Sequence, residues 1–159
     1  PELVKEACER FENKFWGETF VRELREVKGV NDLLNALKKK YTLAVATGNH
    51  PNMLKDKIFP LFHIPKVFSQ IITAHDIPSD KAKPDPYMLE LLMEKLGFNP
   101  EETIYIGDAV NDVVMAQRSR VTPVVVLTGH LNRIEAHTLG VKYILKDVTK
   151  LESVLHSID

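Results

Sequence analysis

The stretch Ile104-Tyr-Ile-Gly-Asp-Ala-Val-Asn-Asp112 decides how this sequence folds. Its apolar residues before the glycine predict a buried parallel strand over residues 103–106, and residues 109–119 predict a helix. Asp108 therefore stands where a strand ends and a helix begins, the edge at which open α/β sheets keep their ligand crevices. Asp112 follows one helical turn later on the same face. Two carboxylates placed in this way suit Mg²⁺, which prefers oxygen ligands.

The same two aspartates have a simpler interpretation. An aspartate at a strand-to-helix turn commonly caps the helix, and a second acid in the first turn complements the helix dipole. A short motif of this kind has a real rate of chance matches. Both interpretations stay open on this stretch alone, and the rest of the chain has to decide between them.

Composition narrows the function classes. The 159 residues fit one domain, with 44% hydrophobic and 27% charged residues. A net charge of -1 gives no electrostatic case for a nucleic-acid or membrane partner. Cys8 is the only cysteine, and no membrane span or signal peptide is recognised, so we expect a cytoplasmic protein. Six histidines without metal-ligand spacing argue against zinc.

The chain alternates predicted strands and helices, which indicates an α/β fold with a doubly wound parallel sheet. The predicted strands are 41–46, 70–74, 103–106, 123–127 and 143–145, and the predicted helices are 30–37, 52–59, 87–96, 109–119, 133–139 and 148–156. Residues 1–26 predict an amphipathic helical segment. Its aromatic residues between 11 and 20 fit core packing better than a substrate lid.

Two further polar segments follow predicted strands or loops. Thr47-Gly48-Asn49 comes directly after the first strand and could form an anion-binding nest, although Thr and Gly are also common in ordinary turns. Lys83 stands in the segment Lys-Pro-Asp-Pro before a helix, either as a fixed charge for an anion or as a solvated lysine. His75 and Asp76, just beyond the strand 70–74, could touch a ligand, but a polar loop without such a role is the more common case.

In this order, the three segments resemble motifs two, three and four of the haloacid dehalogenase superfamily of hydrolases. Lys28-Gly29-Val30 and Leu43-Ala-Val-Ala-Thr-Gly48 add to the resemblance, which covers roughly residues 28–147 and is nearest to the phosphoglycolate-phosphatase-like branch. It implies a Rossmann-like core over residues 27–159, with residues 1–26 as the tail of a helical cap. It also implies hydrolysis of a small phosphomonoester with Mg²⁺ and an aspartyl-phosphate intermediate.

The resemblance also implies roles for individual residues. Thr47, with Gly48 and Asn49, would bind the transferring phosphoryl group, and Lys83 would stabilise its charge and the nucleophile. Asp108 would ligate Mg²⁺, and Asp112 would support the metal site. Phosphoryl transfer depends mainly on positioning and charge neutralisation, and residues of these types can supply both.

The family's first motif, Asp-x-Asp on a central strand, has no counterpart in these 159 residues. In the family that strand lies between the strands that correspond to 41–46 and 103–106. We therefore expect an unpaired gap there, and we expect the isolated chain not to form a stable monomer. A missing N-terminal segment or a second chain would complete the sheet.

Two accounts follow from the missing motif. In the favoured account, these 159 residues are a piece of a longer Mg²⁺-dependent phosphatase and are inactive by themselves. The alternative is a non-catalytic binding protein or inactive fragment of the same fold. An unrelated nucleotide-binding domain fits worse, because no Gly-x-Gly-x-x-Gly or phosphate-loop sequence follows any strand.

Overall fold

A computed structural model describes residues 18–158, with side chains from residue 21 onward. The strands are β1 Leu43–Thr47, β2 Phe68–Thr73, β3 Ile104–Gly107, β4 Thr122–Val126 and β5 Tyr143–Leu145. The α-helices are α1 Glu18–Glu23, α2 Val30–Leu37, α3 Phe59–Leu61, α4 Tyr87–Leu96, α5 Val110–Arg118, α6 Arg133–Thr138 and α7 Glu152–Leu155. A π-helical segment, Met53–Ile58, leads into α3, and three short 3₁₀ helices span Ser79–Lys81, Pro100–Glu102 and Val148–Lys150.

All the strand pairs of the described residues are parallel, which confirms the predicted α/β class. The strands form two sheets, β1–β2 and β3–β4–β5. Thr47 is in register with Thr73, and Gly107 with Val125. Within residues 18–158 no ladder joins β1 to β3.

Helices cover both faces of the larger sheet, as expected for a doubly wound fold. Along β4, Val124 and Val126 belong to one hydrophobic cluster, together with Leu33 and Leu37 of α2. Val125 belongs to another, which contains residues from α5 and α6. Full burial of each such valine contributes about 1.5–3 kcal/mol. The period-two alternation therefore places β4 between two helical layers.

The two sheets share their hydrophobic cores although they share no ladder. Ile72 of β2 lies in one cluster with Ala46 of β1 and Tyr105 of β3. Leu43 of β1 packs against the cluster that also receives Ile104 of β3. Side-chain packing, rather than backbone pairing, thus connects the two sheets within the described residues.

Four of the five predicted strands and several predicted helices differ from the structure by one or two residues at an end, and three elements differ for a reason that can be named. The helix predicted over 52–59 is instead the π-helical segment Met53–Ile58 continued by α3, in which Pro60 lacks the N–H that a regular helix needs. The helix predicted over 148–156 is divided at Leu151. β2 begins at Phe68, two residues early, because Phe68 pairs with Leu43 before a register shift. The helix predicted over 1–26 lies outside the described residues except for α1.

This topology brings several loops to one edge. Parallel strands end at the same edge, so the segments that follow β1, β2, β3 and β4 lie together there. These segments contain Thr47 to His50, His75 and Asp76, Asp108, and Gly129 and His130. Among the helices of residues 18–158, none has the length and apolar character needed to cross a membrane.

Candidate active site

Asp112 lies at the centre of the polar residues at this edge. One carboxylate oxygen, Oδ1, accepts hydrogen bonds from Lys83 Nζ at 2.9 Å and from the Tyr105 hydroxyl at 3.2 Å. The other, Oδ2, accepts from the backbone N–H groups of Asp108 and Ala109, both at 3.2 Å. A carboxylate has about four acceptor positions, so the protein itself uses the full capacity of Asp112.

These contacts set the ionisation of the site. Burial opposes the charge on Asp112, but the Lys83 ammonium and the backbone hydrogen bonds outweigh it and hold the pKa of Asp112 below its usual value. Burial, reinforced by the Asp112 carboxylate, raises the pKa of the Tyr105 hydroxyl far above its usual range. Asp112 is therefore an anion and Tyr105 a neutral hydrogen-bond donor at neutral pH.

Lys83 has three donor positions, and all three have partners. Besides Asp112, its ammonium donates to the Ala46 carbonyl at 2.8 Å and to the Tyr105 hydroxyl at 2.6 Å. The Tyr105 hydroxyl in turn lies 3.1 Å from the Ala46 carbonyl. Lys83 is thus held in a fixed position by protein partners and is not a solvated loop lysine. It connects the ends of β1 and β3.

Asp108 differs from Asp112 in exposure. Its side chain is 40% exposed, and Oδ2 has one long contact, 3.4 Å, to Nδ1 of His130. Its backbone is fixed, because its carbonyl accepts from the N–H groups of His130 and Leu131 at 3.1 and 2.9 Å. The carboxylate therefore has a defined position and free acceptor capacity. Asp112 at N3, and not Asp108, closes the start of α5 by accepting the N–H of its N-cap residue Ala109.

Two glycines make room for these carboxylates. A Cβ atom at Gly107 would lie 2.4 Å from the Cβ atom of Asp112, and one at Gly129 would lie 1.5 Å from Asp108 Oδ2. Both distances are far inside van der Waals contact. Gly129 therefore determines where Asp108 can lie, although it is 21 residues further along the chain.

Thr47, Gly48 and Asn49 form a tight turn after β1. The N–H of Asn49 donates to the Thr47 hydroxyl oxygen at 3.1 Å, so this donor points back into the turn in the structure. A Cβ atom at Gly48 would meet no atom within 4 Å, so the space beside this residue is open. Ala46, the residue before Thr47, accepts the hydrogen bond from Lys83, which brings the turn next to the Lys83–Asp112 pair.

Two histidines contact each other beside this turn. The rings of His50 and His75 have centroids 4.3 Å apart and an interplanar angle of 62°. His50 follows β1 and His75 follows β2, so the parallel pairing of these strands brings the rings together.

Sequence reasoning missed Tyr105, Gly129, His130 and the contact of His50 with His75. A signal existed for Tyr105, because a buried tyrosine in an otherwise aliphatic strand needs a partner for its hydroxyl. No local signal existed for the others, since their partners lie 21 to 25 residues away in the chain.

The exposed carboxylate of Asp108 fits Mg²⁺, whereas the carboxylate of Asp112 is engaged by donors of the protein itself. Mg²⁺ is often bound by one or two carboxylates with waters and substrate phosphate oxygens. Asp108 has an exposed carboxylate of this kind, whereas Asp112 has no acceptor position left. Among residues 18–158, no set of three His, Cys, Asp or Glu side chains is grouped as metal ligands. The described residues thus offer one open oxygen ligand and a rigid support for it.

Fold and site together define the class of protein: a Rossmann-like α/β protein with carboxylates, a lysine and a threonine turn at the carboxyl edge of parallel strands. The model of the haloacid dehalogenase-like hydrolase family matches residues 2–120. The chain belongs to this family, and the resemblance to its phosphoglycolate-phosphatase branch is confirmed by the relatives below.

Three relatives illustrate the match. Phosphoglycolate phosphatase of Haemophilus influenzae is 30% identical over 153 residues, which are 96% of this chain and 66% of that protein. Pyrophosphatase PpaX of Oceanobacillus iheyensis is 33% identical over 92 residues, 58% of this chain and 42% of that protein. The crystal structure of a predicted phosphoglycolate phosphatase from Haemophilus somnus superposes with a TM-score of 0.79 at 25% identity, covering 91% of this chain and 64% of the other. The chain thus spans about two thirds, or less, of these relatives.

Proposed function

We propose that this chain carries three of the four catalytic segments of a Mg²⁺-dependent hydrolase of small phosphomonoesters. One observation carries the proposal. Asp108 keeps an exposed carboxylate in a fixed position, beside an Asp112 carboxylate whose acceptor positions are all used. A residue that only capped a helix would not need this combination of fixed backbone and open oxygens.

Each residue has a distinct task in this proposal. Mg²⁺, when bound, would neutralise the phosphoryl oxygens and orient them for in-line attack. Asp108 holds the cation, and Asp112 positions Asp108 by binding its backbone N–H. Thr47 and Gly48 bind the phosphoryl group through the Thr47 hydroxyl and the Gly48 N–H, and the Asn49 N–H joins them when it turns away from the Thr47 hydroxyl oxygen. Lys83 supplies a positive charge near the same group.

The nucleophile in this proposal is an aspartate of an Asp-x-Asp strand that pairs between β1 and β3. That strand would come from a segment or a second polypeptide outside these 159 residues. The direction of the β1 carbonyls supports it. The Thr47 carbonyl accepts from Ala74 N–H and so faces β2, and carbonyls alternate along a strand, so the Ala46 carbonyl faces the gap.

A strand in the gap would also change the partners of Lys83. The N–H groups of this strand would compete for the Ala46 carbonyl, which now accepts a hydrogen bond from Lys83 and lies next to the Tyr105 hydroxyl. Lys83 would then have a donor available for the nucleophile or the phosphoryl group. We also propose that residues 1–26 are the tail of a helical cap.

The experiment that tests this function begins with a denaturing intact-mass spectrum of the native protein. A mass well above 18.1 kDa, or a second polypeptide, supports the hydrolase. We then expect hydrolysis of 2-phosphoglycolate that depends on Mg²⁺ and is abolished by EDTA. A single species at 18.1 kDa without activity would instead favour a non-catalytic binding protein or an inactive fragment.

Two further properties belong to the same proposal. We propose a cytoplasmic location, supported by the single cysteine in the sequence. We also propose that the isolated 159 residues do not unfold as a sharp, monomeric, cooperative unit, because β1 and β3 each expose a ladder edge to the gap. A cooperative transition of the monomer in calorimetry would contradict this.

A further inference from the structure

We propose that His50 and His75 form a subsite for a second anionic group on the substrate, a carboxylate or a second phosphoryl group. The inference rests on the proposed function, because it assumes that the first phosphoryl group lies at Thr47. It names the residues that would recognise the non-reacting end of a substrate with two anionic ends.

Position is the first argument. His50 follows Thr47 by three residues, and His75 follows Thr73 by two, while Thr47 and Thr73 are paired in register. Adjacent strands lie about 4.8 Å apart, so both residues lie beside the turn that we assign to phosphate. A small substrate bound at Thr47 would extend its non-reacting end towards one of the residues next to Thr47 at this edge. The histidine pair is among these residues.

The second argument is that both loops are held in place. The His50 Nδ1 atom accepts the N–H of Asn52 at 3.2 Å, so the neutral ring carries its proton on Nε2 and can donate from there. The N–H of His75 donates to the Thr73 hydroxyl oxygen at 3.2 Å. The Asp76 carboxylate accepts from both the N–H and the hydroxyl of Thr73 at 2.8 Å. The rings are thus presented by ordered loops.

Charge is the third argument. The hydrogen bonds from the Thr73 backbone and hydroxyl, assisted by Lys55 and His75, hold the pKa of Asp76 below its usual value. The Oδ2 atom of this carboxylate is turned towards Thr73. Lys55 and His75 thus lie near a carboxylate whose Oδ2 atom is already used by Thr73, so the Nε2–H donor of His50 is left for an anion.

A transition-metal ion is a poorer occupant of the same place. Nδ1 of His50 is engaged with Asn52, and no third His, Cys, Asp or Glu ligand joins the pair within the part of the chain that is described. An anion needs only the N–H donors that the rings can offer.

The test is calorimetric titration of the native protein with three probes, with Ca²⁺ in place of Mg²⁺ so that the probes bind without being hydrolysed. Ethyl phosphate has one anionic end, whereas 2-phosphoglycolate adds a carboxylate and pyrophosphate adds a phosphoryl group. The variants are His50→Asn, which keeps an acceptor for Asn52, and His75→Asn. His137→Asn, an exposed histidine on α6, is the matched control.

We expect His50→Asn and His75→Asn each to weaken binding of at least one two-ended probe about tenfold, the loss of one good hydrogen bond to a charged group. Ethyl phosphate binding and the His137→Asn variant should be unchanged. Loss confined to 2-phosphoglycolate identifies a carboxylate subsite, and loss confined to pyrophosphate identifies a phosphoryl subsite.

Three results would overturn the inference. Unchanged binding of both two-ended probes would remove the subsite while leaving the phosphate site intact. Equal weakening of all three probes would assign the histidines to the structure of the Thr47 turn. If ethyl phosphate fails to bind the unaltered protein, the proposed function itself fails, and the subsite fails with it.

Discussion

Two groups of polar residues at the same sheet edge behave in opposite ways. In the inner group, Lys83, Tyr105 and Asp112 use their donors and acceptors on one another and on backbone atoms. In the outer group, Asp108 and His130 are 40% and 86% exposed and share one 3.4 Å contact. The comparison shows that different residues provide the two properties. The inner group fixes the geometry of the site, and the outer group keeps free hydrogen-bonding positions for a ligand.

The largest expected effect tests the outer group. Asp108→Asn should reduce Mg²⁺-dependent hydrolysis about 10³-fold, because the exposed oxygen that holds the cation loses its charge. The free energy of unfolding should change by less than about 0.5 kcal/mol, as for most surface substitutions. Steady-state kinetics and urea denaturation of the native protein measure the two quantities. Asp56→Asn, an exposed aspartate in the π-helical segment, is the control and should keep full activity.

The inner group should respond in stability. Asp112→Asn leaves Lys83 without its carboxylate and removes acceptors from two backbone N–H groups, so we expect a loss of about 2–4 kcal/mol in the free energy of unfolding. Urea denaturation at neutral pH measures it. If Asp108→Asn destabilises the protein as much as Asp112→Asn does, the division into two groups is wrong.

The comparison of the native protein with Asp112→Asn also predicts a pH dependence of stability. The pKa of Asp112 is lowered in the folded state, so its charge stabilises the fold above the unfolded value of about 3.9, and this contribution is lost as the pH falls through the folded pKa. The stability difference between the native protein and Asp112→Asn should therefore be constant from neutral pH to about pH 5 and shrink below about pH 4. A difference independent of pH down to 3 would contradict this.

A smaller effect is expected from a substitution at Gly129, which limits the position of Asp108. Gly129→Ala puts a Cβ atom at the position of Asp108 Oδ2 and must displace that carboxylate. We expect a destabilisation of about 1–3 kcal/mol and a higher Mg²⁺ concentration for half-maximal activity. Gly48→Ala is the steric control for stability, since its added methyl group meets no atom within 4 Å. Equal stability of the two variants would show that Asp108 is not held against Gly129.

The smallest expected effect is in the hydroxyl of Tyr105. Tyr105→Phe removes one of two donors to Asp112 Oδ1 and leaves Lys83 on both Asp112 and Ala46. The expected loss is about 1 kcal/mol, that of one buried hydrogen bond. Thermal unfolding detects it. A loss as large as that of Asp112→Asn would mean that the hydroxyl, and not the ammonium, organises the inner group.

Much of the fold follows from local patterns. The apolar run before Gly107 and the alternation of strands with helices predicted a parallel α/β protein, because each element is marked within a short window of sequence. The bounds of Tyr87–Leu96 and Tyr143–Leu145 were predicted without error. The π-helical segment before Pro60 was not, since periodicity alone does not distinguish a π-helical from an α-helical turn.

For the site, the sequence by itself determined which residues reach the carboxyl edge: Thr47, Lys83, Asp108 and Asp112 were all selected from spacing and resemblance. Only the tertiary structure decided their partners. Lys83 meets Asp112 across 29 residues, Tyr105 meets Ala46 across 59, and His50 meets His75 across 25. The physical reason is that strand pairing and core packing bring distant segments together, and no local window of the sequence records which donor will face which acceptor.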